Sequence, residues 1–195
     1  MYPVMLNVFD RLCTVVGGGK VALHKAEKLA ESGARVRVVS MSFIDGFETF
    51  ETLRKKYAPS DIEGSFLVIA ATDDMDLNKK IADDARGRNI LTAVADNAAY
   101  SDFISPASVT SGDITLSVST NGKFPMLAKK LCLEKSEELD FFSGILPLLS
   151  ECRRRVIEMN RTDKSELLEF MLSDEMLGYA VGDRKLFEKK LDLSD

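Results

Sequence analysis

Apolar residues in the first half of the chain follow two alternating rhythms. Leu12 to Val16 is an apolar run of strand length, and Lys20 to Ser32 carries Val21, Ala22, Ala26, Leu29 and Ala30 at a helical period. Arg35-Val36-Arg37-Val38-Val39 predicts a second strand, whose arginines alternate with valines and form its polar face. Phe43 to Phe50 is expected as a short helix and Thr52 to Tyr57 as an edge strand. Phe66 to Ala70, after Ser65, is continuously apolar, which fits a central parallel strand covered on both faces. A helix from about Met75 to Arg88 follows. Asp73, Asp74 and Asp76 stand at its start, where carboxylates suit the helix dipole and can cap free N–H groups. Ile90 to Val94 is a further strand. Strands alternating with helices in this way predict a parallel sheet with right-handed crossovers.

The pattern changes after Gly112. Ile114 to Ser119 alternates apolar and polar residues with period two, the signature of a half-exposed strand. Thr120-Asn121-Gly122-Lys123 reads as a turn, and Pro125 suits the first position of a helix running toward Leu139. Phe141 to Lys190 is helical throughout, with Leu148, Leu149, Cys152, Val156 and Met159 on one stripe.

Between the first strand and the first helix lies Gly17-Gly18-Gly19-Lys20-Val21-Ala22, a G-x-G-x-x-A turn. Gly17 permits the tight turn, Gly19 lets backbone approach a pyrophosphate, and Ala22 lets the helix lie close on the strand. The helix start at Lys20 and Val21 supplies free N–H groups and a positive dipole end for phosphates. Strand, glycine turn and helix in this order predict a Rossmann-type dinucleotide site. The competing possibility is a glycine-rich turn that binds nothing. Gly17–Gly19, Met41–Ser42, Thr72–Asp73 and Asp96 all fall at expected carboxyl ends of strands, where ligands bind in such sheets. The second strand ends in Val39-Ser40-Met41-Ser42 rather than in the acid that usually accepts from the ribose 2′-hydroxyl. Because Arg35 and Arg37 belong to a strand face, the expected cofactor is NAD.

Composition narrows the class. The 195 residues are 45% hydrophobic and 29% charged, as in an ordinary globular protein, and the net charge of −5 argues against a broad nucleic-acid surface. No apolar run approaches the ~20 residues of a membrane span, and Met1 to Leu6 lacks a signal peptide's basic start, so a cytoplasmic protein is expected. Cys13, Cys132 and Cys152 are odd in number and widely spaced, which predicts reduced, mostly buried thiols. His24 is expected on the surface of the first helix, and no His/Cys/Asp/Glu spacing suggests a resident metal. Arg153-Arg154-Arg155 reads as a solvated helix face from which one side chain can reach carboxylates.

With these residues in place, the chain resembles the precorrin-2 dehydrogenase family, the NAD-dependent module of siroheme synthase. Tyr2-Pro3-Val4-Met5-Leu6 resembles the family's short N-terminal strand. Gly17-Gly18-Gly19-Lys20-Val21-Ala22 with Lys25 is similar to its glycine loop, and Ala70-Ala71-Thr72-Asp73-Asp74 with Leu77-Asn78 to its A-A-T-D-D…L-N. Asp102-Phe103-Ile104 with Pro106, and Ser117 to Pro125, match two later motifs. The resemblance implies oxidation of precorrin-2 by NAD⁺ to sirohydrochlorin, with Fe²⁺ insertion in some members, and a homodimer. It implies an α/β fold with a Rossmann domain over residues 1–112, a dimerisation region over 113–146 and a C-terminal helical domain over 147–195. It places the family's catalytic aspartate on Asp96, an acid–base group toward the macrocycle. A turn-capping role for Asp96 beside Asn97 is the plainer alternative. Ala93 and Asn121-Gly122 depart from the family's usual residues. Thr120 falls on the turn serine, and Thr120, Asn121, Gly122 and Lys123 precede a helix N-terminus able to receive a substrate carboxylate. A non-catalytic NAD-binding redox sensor is the second functional class, one that needs the glycine loop but not Asp96.

Overall fold

The computed structural model describes residues 1–95, 97–159 and 162–193, which form two compact units, Met1–Ser105 and Pro106–Asp195. In the first, strands β1 (Leu12–Val16), β2 (Arg35–Ser40), β3 (Glu51–Arg54), β4 (Leu67–Ala70) and β5 (Leu91–Val94) form one parallel sheet in the order β3-β2-β1-β4-β5. The chain winds outward from β1 to β3, then returns to pair β4 against the other side of β1. The connections leaving β1 and β4 therefore diverge, and a crevice opens at their carboxyl ends.

Helix α1 (Lys20–Glu31) covers one face of the sheet and α2 (Met75–Arg86) the other. Successive strand residues supply the two faces alternately. Cys13, Val15, Val38 and Ile69 pack with Ala22 and Ala26 of α1, whereas Val16, Val39, Val68 and Ala70 pack with Ile81, Ala82 and Ala85 of α2. Double coverage is why β1 and β4 are almost continuously apolar. Full burial of each such aliphatic side chain contributes roughly 1.5–3 kcal/mol. The exception is Thr14, fully buried, whose hydroxyl bonds that of Ser65 at 2.7 Å. Burial also pushes the Cys13 thiol up to about 11.

Three local expectations are corrected. Residues 43–50 form no helix. Phe43, Phe47 and Phe50 have helical spacing, but Gly46 takes φ +109° and turns the chain onto Leu23. The rings instead make a cluster, with centroids 5.2 Å apart for Phe43–Phe47 and 6.2 Å for Phe47–Phe50. This aromatic plug replaces a crossover helix between β2 and β3. The second correction is at Tyr2–Leu6, which forms no strand; Pro3 has no N–H for a ladder. The third is the helix from Pro125, which ends at Glu134 rather than near Leu139.

The second unit opens with a hairpin of β6 (Ala107–Ser111) and β7 (Ile114–Val118), closed by Gly112-Asp113 with Gly112 at φ +52°. Helices α3 (Pro125–Glu134) and α4 (Ser136–Glu158) meet at Lys135 and pack on it. Helices α5 (Lys164–Phe170), α6 (Asp174–Gly182) and α7 (Arg184–Lys190) gather with α4 around Cys152, Val156, Met176 and Phe187. Arg153 and Arg154 of the arginine run are exposed on α4, and Arg155 is half-buried. Arg154 pairs with Glu151 and Glu158 at 2.7 and 2.8 Å, and Arg155 donates to the Leu193 carbonyl. Among the described residues no helix is long and apolar enough to cross a membrane.

Candidate functional site

The carboxyl edge of the sheet is built around three glycines with different surroundings. Gly17 ends β1, its amide donating to the Val39 carbonyl at 2.9 Å, and holds φ +137°. A β-carbon there would stand 2.2 Å from the Ala71 carbonyl oxygen and 3.3 Å from the Ala22 β-carbon. Glycine and alanine are thus dictated by the end of β4 passing close to the turn. Gly18 is wedged against the segment leaving β2. A β-carbon on it would stand 1.8 Å from the Ser42 carbonyl oxygen, and its own carbonyl accepts from Ile44 N at 3.0 Å. Gly19 faces open space, with nothing within 4 Å of where a β-carbon would project. Its lack of a side chain meets no demand of the protein's own packing.

Gly19 is also the N-cap of α1. No side chain caps this helix and no acid occupies its first turn, where Lys20 and Val21 are exposed. Backbone N–H groups, a positive dipole end, a lysine and a space kept clear of a β-carbon fit the pyrophosphate of a dinucleotide. The start of α2 is different. Asp74 Oδ1 accepts from the amides of Asp76 and Leu77, both at 3.0 Å, so that this end carries its own anion.

Thr72 and Asp73 follow β4. The Thr72 hydroxyl is engaged within its loop, 2.7 Å from Asn78 Oδ1 and 3.2 Å from the Asp74 amide that donates to it. Asn78, only 1% exposed, accepts from Thr72 N at 3.1 Å and donates to Thr72 O at 2.9 Å. This buried amide sets the shape of the loop. Its only sequence signal is the Leu77-Asn78 pair after the T-D-D motif, so site reasoning passed over it. Asp73, Met41 and Ser42 are exposed at the same edge.

Asp96 lies outside the described residues. Its neighbours are anchored: Ala95 N donates to Ala70 O at 2.8 Å, and Asn97 Oδ1 accepts from Ala99 N at 3.2 Å. Ser101 Oγ accepts from Val94 N at 2.9 Å, and Asp102 Oδ2 accepts from Thr92 N at 2.9 Å. These two side chains tie the return of the 95–100 loop to β5 and are further supports that sequence reasoning passed over.

Thr120, Asn121, Gly122 and Lys123 belong to the second unit. Thr120 Oγ1 accepts from Phe124 N at 3.1 Å, and Asn121 and Gly122 take φ +51° and +77°. The turn leads into α3, whose N-terminus has no side-chain cap. His24 is exposed on α1. Among the described residues, no group of three or more His, Cys, Asp or Glu is placed to hold a metal ion.

A family model described as "Putative NAD(P)-binding" matches residues 4–107. The chain belongs to this NAD(P)-binding family. The match spans the sheet and the glycine loop, and the cofactor is a nicotinamide dinucleotide of the NAD type. The chain is 38% identical over 205 aligned positions to a siroheme synthase of Thioalkalivibrio sulfidiphilus, which covers 98% of this chain and 42% of that protein. It is 36% identical over 136 positions to the siroheme synthase of Chromobacterium violaceum, covering 67% of this chain and 29% of that protein. The chain therefore spans less than half the length of these relatives. A solved structure of SirC, a precorrin-2 dehydrogenase, superposes with a TM-score of 0.77 at 25% identity, over the whole of both chains. The resemblance to the precorrin-2 dehydrogenase module stands on these matches, as does the α/β architecture with its C-terminal helices.

Proposed function

We propose that this protein oxidises precorrin-2 to sirohydrochlorin with NAD⁺, within the synthesis of siroheme or a related modified tetrapyrrole. The observation that carries this reading is the likeness to precorrin-2 dehydrogenase over the full length of both chains. The open glycine at the head of an uncapped α1 supports it. NAD⁺, when bound, supplies the hydride acceptor. Gly17, Gly19, Lys20 and Val21 form the pyrophosphate cradle, and Met41, Ser42, Thr72 and Asp73 line the rest of the dinucleotide edge. Thr72 contributes backbone and loop shape, since its hydroxyl is engaged with Asn78.

Asp96 takes up a proton from the macrocycle as hydride leaves, so that charge does not accumulate on the product. Thr120, Asn121, Gly122 and Lys123 receive a substrate carboxylate. The positive φ values of Asn121 and Gly122 support this by shaping the turn ahead of the uncapped α3, and Lys123 adds charge.

The active form is a cytoplasmic homodimer, with residues 1–112 as the NAD domain, 113–146 as the dimerisation region and 147–195 as the helical domain. Supporting it, α3 and the residue before it expose Phe124, Met126 and Leu133 at 57%, 75% and 60%, an apolar surface that a monomer would leave in water. The test incubates purified protein with precorrin-2 and NAD⁺ and follows absorbance for sirohydrochlorin and NADH, with Fe²⁺ then added to any product. Tight NAD binding without turnover would make the protein the redox sensor instead. Sedimentation at micromolar concentration tests the dimer, and a monomer there would overturn it.

A further inference from the structure

The edge where the adenosine ribose would rest lacks an acid and gains a cation. Ser40 is the last residue of β2, and Ser42 follows in the exposed segment beyond it. An acid at that strand end would accept from a ribose 2′-hydroxyl and repel a 2′-phosphate. The Ser40 hydroxyl carries no charge and faces the glycine loop, 2.7 Å from where a β-carbon of Gly18 would stand.

The neighbouring strand supplies positive charge at the same level. Parallel pairing sets Arg54, the last residue of β3, opposite Ser40, and Lys55 N donates to Ser40 O at 2.9 Å. The Arg54 guanidinium lies 5.1 Å from the centre of the Phe43 ring. Phe43 adjoins Ile44, whose amide holds the Gly18 carbonyl, so the ring beside this cation belongs to the segment that braces the glycine loop. Its neighbours have carboxylate partners: Arg37 pairs with Glu51 at 2.7 Å, Arg35 with Asp10 at 3.2 Å and Lys55 with Asp61 at 2.5 Å. Arg54 makes no ion pair among the described residues. A guanidinium with open donors is suited to grip a phosphate.

We propose that the adenosine end of this site accepts a 2′-phosphate, so that the domain binds NADP and NADPH as well as NAD and NADH. Arg54 supplies the charge, and the Ser40 and Ser42 hydroxyls supply neutral partners. The proposal rests on the dinucleotide reading and extends it to the ribose.

The test titrates the full chain with NADH and with NADPH by nucleotide fluorescence and calorimetry, for the native protein, Arg54→Ala and Ser40→Asp. The native protein is expected to bind NADPH within about tenfold of NADH. Each substitution is expected to weaken NADPH at least tenfold more than NADH, the first by removing the cation and the second by adding repulsion. Added salt should erode NADPH binding faster than NADH binding, because Arg54 is exposed. Native NADPH binding weaker than that tenfold limit, or a ratio unmoved by both substitutions, overturns the proposal. Folded protein that binds neither nucleotide removes the dinucleotide reading itself, and this proposal with it.

Discussion

Gly17 and Gly19 should respond in opposite ways to one added methyl group. At Gly17 an alanine must hold φ +137°, which costs about 1–3 kcal/mol for a residue with a side chain. Its β-carbon would also begin 2.2 Å from the Ala71 carbonyl oxygen, and relieving such overpacking costs about 1–3 kcal/mol more. The sum of roughly 2–6 kcal/mol is a large share of the 5–15 kcal/mol that typically holds a domain folded. At about 4–8 °C per kcal/mol for a unit of this size, Gly17→Ala should lower the melting temperature by at least about 8 °C. At Gly19 the methyl meets no protein atom within 4 Å, and φ −96° suits any residue. Gly19→Ala should therefore change stability by less than about 1 kcal/mol. It should nevertheless weaken NAD at least tenfold, or about 1.4 kcal/mol, because the methyl occupies the approach of the pyrophosphate. Melting by circular dichroism reads the first effect. The chain has no tryptophan, so the second is best read from the fluorescence of NADH itself or by calorimetry. Native-like NADH affinity in Gly19→Ala would show that this space is not where the phosphates lie. A Gly17→Ala protein melting with the native one would show that the close approach of β4 is no constraint.

Asn78→Leu keeps the volume but strips Thr72 of its buried partners, and should cost roughly 1–3 kcal/mol per orphaned group in urea unfolding; an unchanged midpoint would mean that the loop stands without it. Asp96→Ala should retain NADH affinity while turnover of precorrin-2 falls ~10²–10⁴-fold; joint loss of affinity and stability would favour the turn-capping role. The Cys13 thiol, held up at about 11 by burial, should resist thiol reagents at pH 8 until the protein unfolds. Because its folded value is raised from 9.0, its contribution to stability is present below pH 9 and is lost as pH climbs toward 11, which a series of melts across that window would read.

The elements that were legible in the sequence are those whose burial is complete. β1, β4 and α2 stand within two or three residues of their expected limits, because coverage of both sheet faces keeps the strands almost wholly apolar and α2 turns one buried stripe inward. The Asp74 cap was legible for a different reason, as an acid ahead of a helical stripe has few other uses. The 43–50 segment misled because three phenylalanines at intervals of four and three suit a helix and an aromatic cluster alike. What separates the two is the backbone of Gly46 beside Leu23, a contact made by a residue far away in sequence. β6 escaped notice because Ala107-Ser108-Val109-Thr110-Ser111 is small and half polar, and becomes a strand only through its pairing with β7. Within the candidate site, the glycine turn was legible by motif. The Asn78 brace and the Arg54–Ser40 pairing were not, because each depends on which strand or loop lies alongside.

The unlike starts of α1 and α2 give the sheet edge a sense of direction. Two helices begin near one another at the divergence of β1 and β4, yet Asp74 fills one with its own negative charge while the other stays open. An elongated, doubly charged ligand laid across this edge has one resting place for its charged middle. Free pyrophosphate should accordingly behave as a simple competitor at a single position, and a longer polyphosphate should gain nothing by reaching toward α2. Which of the two helix starts is left open to an anion is in this sense decided by one aspartate that never needs to touch it.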